Sequence, residues 1–151
     1  MNKNKYNFKE SVLFLLKFFI TFFVLHTIIL NLNLDFFNSF LAFISASYLG
    51  LDFISNIILV NNMSFVITNS CTGLVSSAIL VAINFASKRP FEFKKIKVVV
   101  FGVLVLLIIN VPRIMFILIS AKIGLDPNFI HSLTWFLMSG LVLILWYYLD
   151  F

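Results

Sequence analysis

Three residues carry side chains that could attack a carbonyl, move a proton or hold an anion in otherwise apolar surroundings: Cys71, Arg113 and His131. Cys71 is the only cysteine and sits in 69-NSCTGLVSSAIL-80, where polar Asn69 and Ser70 give way to a long apolar run. A single cysteine excludes an intrachain disulfide and a Cys-cluster zinc site. Its thiol is either a small hydrophobe in the packing or a nucleophile. If Asn69 or Ser70 N-caps the following helix, Cys71 falls in the first turn, where unpaired N–H groups and the macrodipole favour thiolate over thiol. Thr72 and Gly73 come next, and the glycine removes a side chain beside the thiol, so that a substrate backbone could approach closely.

Arg113 lies in 110-NVPRIMF-116, inside an apolar run. An arginine within a membrane helix costs about 2.5–3.5 kcal/mol or more, so it faces a bundle interior and marks function, or else it snorkels to the headgroups. Lys122 marks the outer interface about 14 Å further along the helix, which favours the interior. Pro112 frees a carbonyl one turn earlier, and Asn110 offers a hydrogen-bond partner. His131 is either an interfacial histidine bonded to the 122–128 loop or, in company with a thiol and a guanidinium, a general base. His26 reads as structural, and Ser76, Ser77, Ser139 and Gly140 as small helix-packing residues. There is no His-Glu-x-x-His, no Gly-x-Ser-Gly, and 49-LGLD-52 lacks the first glycine of Gly-x-Gly-Asp. Cysteine chemistry is the covalent option left, with no metal and no cofactor expected.

The elements that must position these residues are membrane helices. Of 151 residues, 62% are hydrophobic and 11% charged, with mean hydropathy +1.08, far from the roughly 25% charged of soluble domains. The expected fold is an all-α integral membrane protein forming a single domain. It is a bundle of about four transmembrane helices, at 14–34, 72–87, 98–121 and 129–149, with an outer-side or re-entrant segment at 35–70. No small-residue cleavage site follows the first apolar run, so it reads as an uncleaved span. The net charge of +5 is concentrated in a basic tail (Lys3, Lys5, Lys9) and in 88-KRPFEFKKIK-97, which reads as topology signal and lipid contact rather than nucleic-acid binding. The positive-inside rule puts both in the cytoplasm. By parity both termini are then cytoplasmic, and 35–69 and 122–128 lie outside. Within the outer piece, 57-IILV-60 and 65-FVI-67 flank Asn61-Asn62, a pair that tolerates the positive φ of a tight hairpin turn. The alternative, with 36–51 and 52–68 both crossing the bilayer, is strained by Asn56, Asn61 and Asn62. Along ideal helices Cys71, Arg113 and His131 stand about 25, 24 and 28 Å above Lys88, Lys97 and Asp150, at one matched depth.

Taken in order, 71-CTGL-74, 110-NVPR-113 and His131 resemble the motifs of the exosortase/archaeosortase family of membrane transpeptidase-like enzymes. The resemblance runs from Ala42 onward. Asn69-Ser70 stands where an alanine often precedes the family cysteine, and the chain is close to a minimal core without the extra helices of many members. The resemblance implies substrates that are exported proteins with a C-terminal tail of motif, transmembrane helix and basic cluster. The tail would be cut at the outer face and the acyl group passed to a lipid, an amine or water. It further implies Cys71 as nucleophile, His131 as proton carrier and Arg113 as oxyanion partner, with Ser70, Thr72, Gly73 and Asn110 supporting them. The reading from another class is a non-enzymatic membrane assembly factor or small transporter subunit, in which Cys71 is dispensable.

Overall fold

The computed structural model describes residues 8–87 and 93–150; the expectations for Lys3, Lys5 and residues 88–92 lie outside them. Helix α1 (Phe8–Asn31) leads to helix α2 (Asp35–Leu49), then to strands β1 (Phe53–Ile54), β2 (Ile57–Val60) and β3 (Met63–Val66) and a single 3-10 turn, Asn69–Cys71. Helices α3 (Leu74–Ala86), α4 (Phe93–Lys122) and α5 (Pro127–Asp150) complete the described fold. It is mostly helical, and three helices are long and apolar enough to cross a membrane: Phe8–Asn31, Ile96–Lys122 and Pro127–Tyr148. This is compatible with an all-α membrane protein of three long spans.

The expected span at 72–87 is represented by a shorter apolar helix, so a fourth long span is not shown. Helix α3 has 13 residues, about 20 Å at 1.5 Å per residue, against a hydrocarbon core about 30 Å thick. Its start is delayed by Gly73, whose φ of +85° breaks the helical path. Helix α3 is enclosed by α1, α4 and α5, with Leu80, Ala82 and Ile83 among its buried residues. Irregular backbone at the head of a short helix is tolerable in apolar surroundings when protein encloses it.

The segment at 35–70 folds as a helix, a small sheet and a 3-10 turn. Strands β2 and β3 pair antiparallel with Val60 opposite Met63. The turn residues Asn61 and Asn62 both take positive φ, +48° and +64°, as a two-residue hairpin requires. Strand β1, unanticipated, pairs antiparallel with β2 to give the order β1-β2-β3.

Local chemistry fixes the element ends. Helix α2 stops where Gly50 turns left-handed at φ +62°, with Leu51 N–H donating to Ala46 C=O at 2.9 Å. Helix α4 stops in the same way: Leu125 N–H donates to Ser120 C=O at 2.9 Å around left-handed Gly124. Both are six-to-one closures that satisfy terminal carbonyls. Asn61 in the hairpin turn adds to the second, its Nδ2 donating to the Lys122 carbonyl at 2.9 Å. Asp126 accepts from Asn128 N–H at 3.0 Å and caps α5, whose first residue is proline.

Two apolar cores result. One joins Leu41, Ala42 and Ala46 of α2 and Ile58 and Val60 of β2 to Ile114, Leu118 and Ala121 of α4. The other joins Leu80 and Ile83 of α3 and Leu106 of α4 to Met138 and Val142 of α5, with Phe18 of α1 against it. Between Leu106 and Ile114, at the seam of the two cores, lie buried Asn110 and Arg113. Arg113 is the one charged side chain that is buried among the described residues, and its surroundings are where chemistry is sought.

Candidate active site

Cys71 closes the 3-10 turn; it does not sit in the first turn of α3, because the residue capping that helix is Gly73 and no side chain caps it. The expected capping by Asn69 or Ser70 is therefore absent. Asn69 faces the other way: its Nδ2 donates to the carbonyls of Ile29 and Leu32 at 2.9 Å each, and its Oδ1 accepts from Asn38 at 2.9 Å. It holds the C-terminal end of α1 and the head of α2 against the cysteine turn. Thr72 is buried, donates to Asn69 C=O at 2.7 Å and accepts from Leu74 N–H at 3.3 Å, so it locks the turn from inside. Ser70 is half-buried beside it. The Cys71 thiol has Thr68 Oγ1 at 3.6 Å.

Gly73 admits helix α4, not a substrate. A Cβ built on it would stand 3.1 Å from Asn110 Cβ and 3.2 Å from the Leu106 carbonyl. This close approach brings Asn110 Nδ2 onto the Cys71 carbonyl, so the backbone of the thiol-bearing residue is fastened to α4 one turn below Arg113.

Arg113 is only 7% exposed, which removes the snorkelling alternative. Its Nη1 donates to Asn110 Oδ1 at 3.1 Å and its Nε to Thr134 Oγ1 at 3.2 Å, while Cζ lies 5.2 Å from the Trp135 ring centroid. Asn110 thus bridges the guanidinium and the Cys71 carbonyl with its two amide atoms. The remaining nitrogen, Nη2, is buried and has no hydrogen-bond partner. A buried cationic donor without a protein partner is costly, and it calls for a catalytic role or a bound ion or water.

His131 lies on the same face of α5. Its carbonyl accepts from Thr134 Oγ1 at 2.8 Å, and its Nε2 accepts from Trp135 Nε1 at 3.0 Å; the 122–128 loop is not its ring partner. His131 and Cys71 line one cavity of about 260 Å³. One wall is Phe65, Val66 and Ile67, leading out of β3, and another is Ile114, Ile117 and Leu118 of α4; Pro127 and Asn128 stand beside His131 at the head of α5. The thiol and the imidazole share this space without a direct hydrogen bond. Arg113 is not among the residues lining that cavity; Asn110 links its guanidinium to the Cys71 carbonyl, and Thr134 and Trp135 link it to His131.

Thr68, Thr134 and Trp135 are the contributors that sequence reasoning missed. The signal for the last two was their spacing of three and four from His131, which puts them on its helical face. Ser77 packs inside α3, donating to Gly73 C=O at 3.0 Å, and Ser76 is buried. Ser139 and Gly140, by contrast, are exposed. His26 stacks on Phe22 at 5.5 Å, far in sequence from the seam. Among the described residues no three His, Cys, Asp or Glu side chains gather as a metal-ligand set. Comparison of the chain with protein-family models, curated proteins and solved structures gives no match, so the chemistry of this seam rests on its own geometry.

Proposed function

We propose that the protein is a membrane-embedded cysteine peptidase or transpeptidase of the archaeosortase/exosortase kind, acting on the C-terminal tails of exported proteins. The observation that carries this reading is Arg113. A buried guanidinium is fastened through Asn110 to the backbone of the single cysteine and keeps one donor, Nη2, unspent. In the proposed reaction Cys71 Sγ attacks the scissile carbonyl carbon as its proton passes to His131. The carbonyl oxygen becomes an oxyanion received by Arg113. The C–N bond then breaks, the amine leaves with the proton from His131, and a thioester remains. A lipid hydroxyl, an amine or water attacks the thioester and yields its proton to His131; transfer to the acceptor restores the thiol. An apolar cavity disfavours water in that step.

The proposed setting is the cytoplasmic membrane, with the short α3 making the fourth crossing between α1 and α4, the seam toward the outer face and both termini inside. In a Cys71→Ala background, Asp126→Cys should react with a membrane-impermeant maleimide added outside intact cells. Protection there, with labelling only after lysis, would invert the orientation.

The non-enzymatic reading, an assembly factor or small transporter subunit, draws on two contacts: Nε2 of His131 is engaged by Trp135 and the thiol by Thr68. An in-cell processing assay on a tailed substrate separates the two. Cys71→Ala and Cys71→Ser should express normally and lose nearly all processing, since an unactivated serine hydroxyl is a far weaker nucleophile. Wild-type processing by Cys71→Ala would make the cysteine packing only.

A further inference from the structure

The free edge of the small sheet runs into the cavity that holds Cys71. Across the hairpin, Val60 pairs with Met63 and Ile58 with Phe65, and Ile67 N–H continues the ladder to Asn56 C=O at 2.8 Å. With a two-residue turn, the hydrogen-bonded pairs fall at 63, 65 and 67. The N–H and C=O groups of Ser64 and Val66 consequently face away from β2. Strand β3 is last in the order β1-β2-β3, so among the described residues no further strand of the sheet meets them. Beyond Val66 the chain stays extended to Thr68 (φ −108°, ψ 170°), whose Oγ1 is 3.6 Å from the Cys71 thiol.

We infer that this cavity seats an extended peptide that adds to β3 as a fourth strand, bonding Ser64 and Val66 and delivering its next backbone carbonyl to Cys71. Extended backbone is the occupant that fits. Edge groups two residues apart recur every 6.6–6.8 Å or so, the repeat of another strand, and strand addition uses that match. A lipid chain offers no donors or acceptors to the edge groups of Ser64 and Val66, which a strand would pair. Val66, Ile114 and Leu118 in those walls suit apolar side chains, which a strand projects alternately from its two faces. One further strand step past Val66 brings the incoming backbone level with Thr68 and Sγ, with His131 across the cavity. The inference rests on the peptidase reading for its consequence, cleavage, but the seating itself is measurable without turnover.

The test uses the full chain in lipid nanodiscs and a tetravaline peptide ending in a chloromethyl ketone. Cys71 is the only thiol, so the mass gain of the protein reports its alkylation. Each rate is divided by that with glutathione and compared with iodoacetamide treated in the same way. The peptide should exceed iodoacetamide at least tenfold. Two isomers, N-methylated at one or the other of two adjacent amides, should differ at least tenfold, because only one of those amides points at β3. Val66→Pro removes an edge N–H without removing a ladder bond to β2; it should slow the peptide about tenfold and leave iodoacetamide unchanged. A parent peptide no faster than iodoacetamide, or equal rates for the two isomers, overturns the strand addition, and the isomer comparison needs no variant to fold. Cys71-dependent processing in cells together with equal isomer rates would reject the seating alone. Unequal isomer rates with Cys71-independent processing would reject the peptidase reading alone.

Discussion

Trp135 donates its indole N–H to Nε2 of His131 across 3.0 Å, one helical turn away on α5. A neutral imidazole that accepts at Nε2 carries its proton on Nδ1, so the basic lone pair of His131 is occupied by the indole. The thiol proton can pass to that nitrogen only when the indole gives way.

From this, Trp135→Phe should free Nε2 while keeping a ring beside Arg113. Alkylation of Cys71 by a small maleimide should then rise about 2–10-fold, the worth of one hydrogen bond of roughly 0.5–1.5 kcal/mol. The rise should vanish in the His131→Ala, Trp135→Phe double variant. A rise that survives the loss of His131 would show that the indole shields the thiol sterically instead.

Arg113→Lys should fail although it keeps the charge. The guanidinium serves Asn110 through Nη1, Thr134 through Nε and the Trp135 face at once, and an ammonium on a flexible stem cannot reproduce that planar fork. A loss of about 1–3 kcal/mol in stability is expected from the unsatisfied buried partners. Processing should fall at least ~100-fold, as for loss of an oxyanion donor. Unfolding titration in mild detergent and the in-cell assay read the two effects. Full processing with reduced stability would make Arg113 a purely structural cation.

The parts of this arrangement that were legible in the sequence are those with a local physical signature. Asn61-Asn62 predicted a hairpin because two adjacent positive φ values are needed there, and both occur. Arg113 predicted an interior position because its burial is expensive unless paired. Composition and run length predicted membrane helices, and three of the four runs are long enough to cross while the fourth holds a shorter helix. The polar start at Asn69 and the apolar run after it looked like one capped span, whereas the left-handed Gly73 splits it into a turn and a short helix. That glycine was noticed for the right property and given the wrong neighbour: which surface fills the space over a missing Cβ depends on how α3 lies on α4. The partners of Asn69 were invisible for the same reason, since Ile29, Leu32 and Asn38 are distant in sequence and Asn69 meets two of them through backbone carbonyls.

Gly73 and Gly50 make a matched pair for measuring that contact. Both are left-handed, at φ +85° and +62°, but a Cβ on Gly50 meets nothing within 4 Å while one on Gly73 meets Asn110 and Leu106. Gly50→Ala should cost about 1–2 kcal/mol, the backbone term alone. Gly73→Ala should cost roughly 1–3 kcal/mol more, since α4 must be displaced or its packing strained, and it should disturb the Asn110 bond to Cys71. Equal losses in an unfolding titration would mean that the two helices have room to part.

The cysteine turn should also answer to the far end of α1 through Asn69. Its Nδ2 satisfies carbonyls that a helix C-terminus otherwise leaves open, and its own carbonyl holds Thr72. Asn69→Ala removes the donor and should cost about 1–3 kcal/mol. Asn69→Asp retains the size and a hydrogen-bond acceptor for Asn38, but sets a negative charge against the negative end of the α1 dipole, where an anion is unfavourable. The aspartate should therefore be the more damaging of the two, the reverse of what side-chain size predicts. Loosening the turn should raise maleimide labelling of Cys71 in both variants, more in Asn69→Asp, and lower processing in the same order. If Asn69→Asp is as stable as wild type and its labelling is unchanged, α1 is a passive neighbour and the turn is held by Thr72 and Asn110 alone.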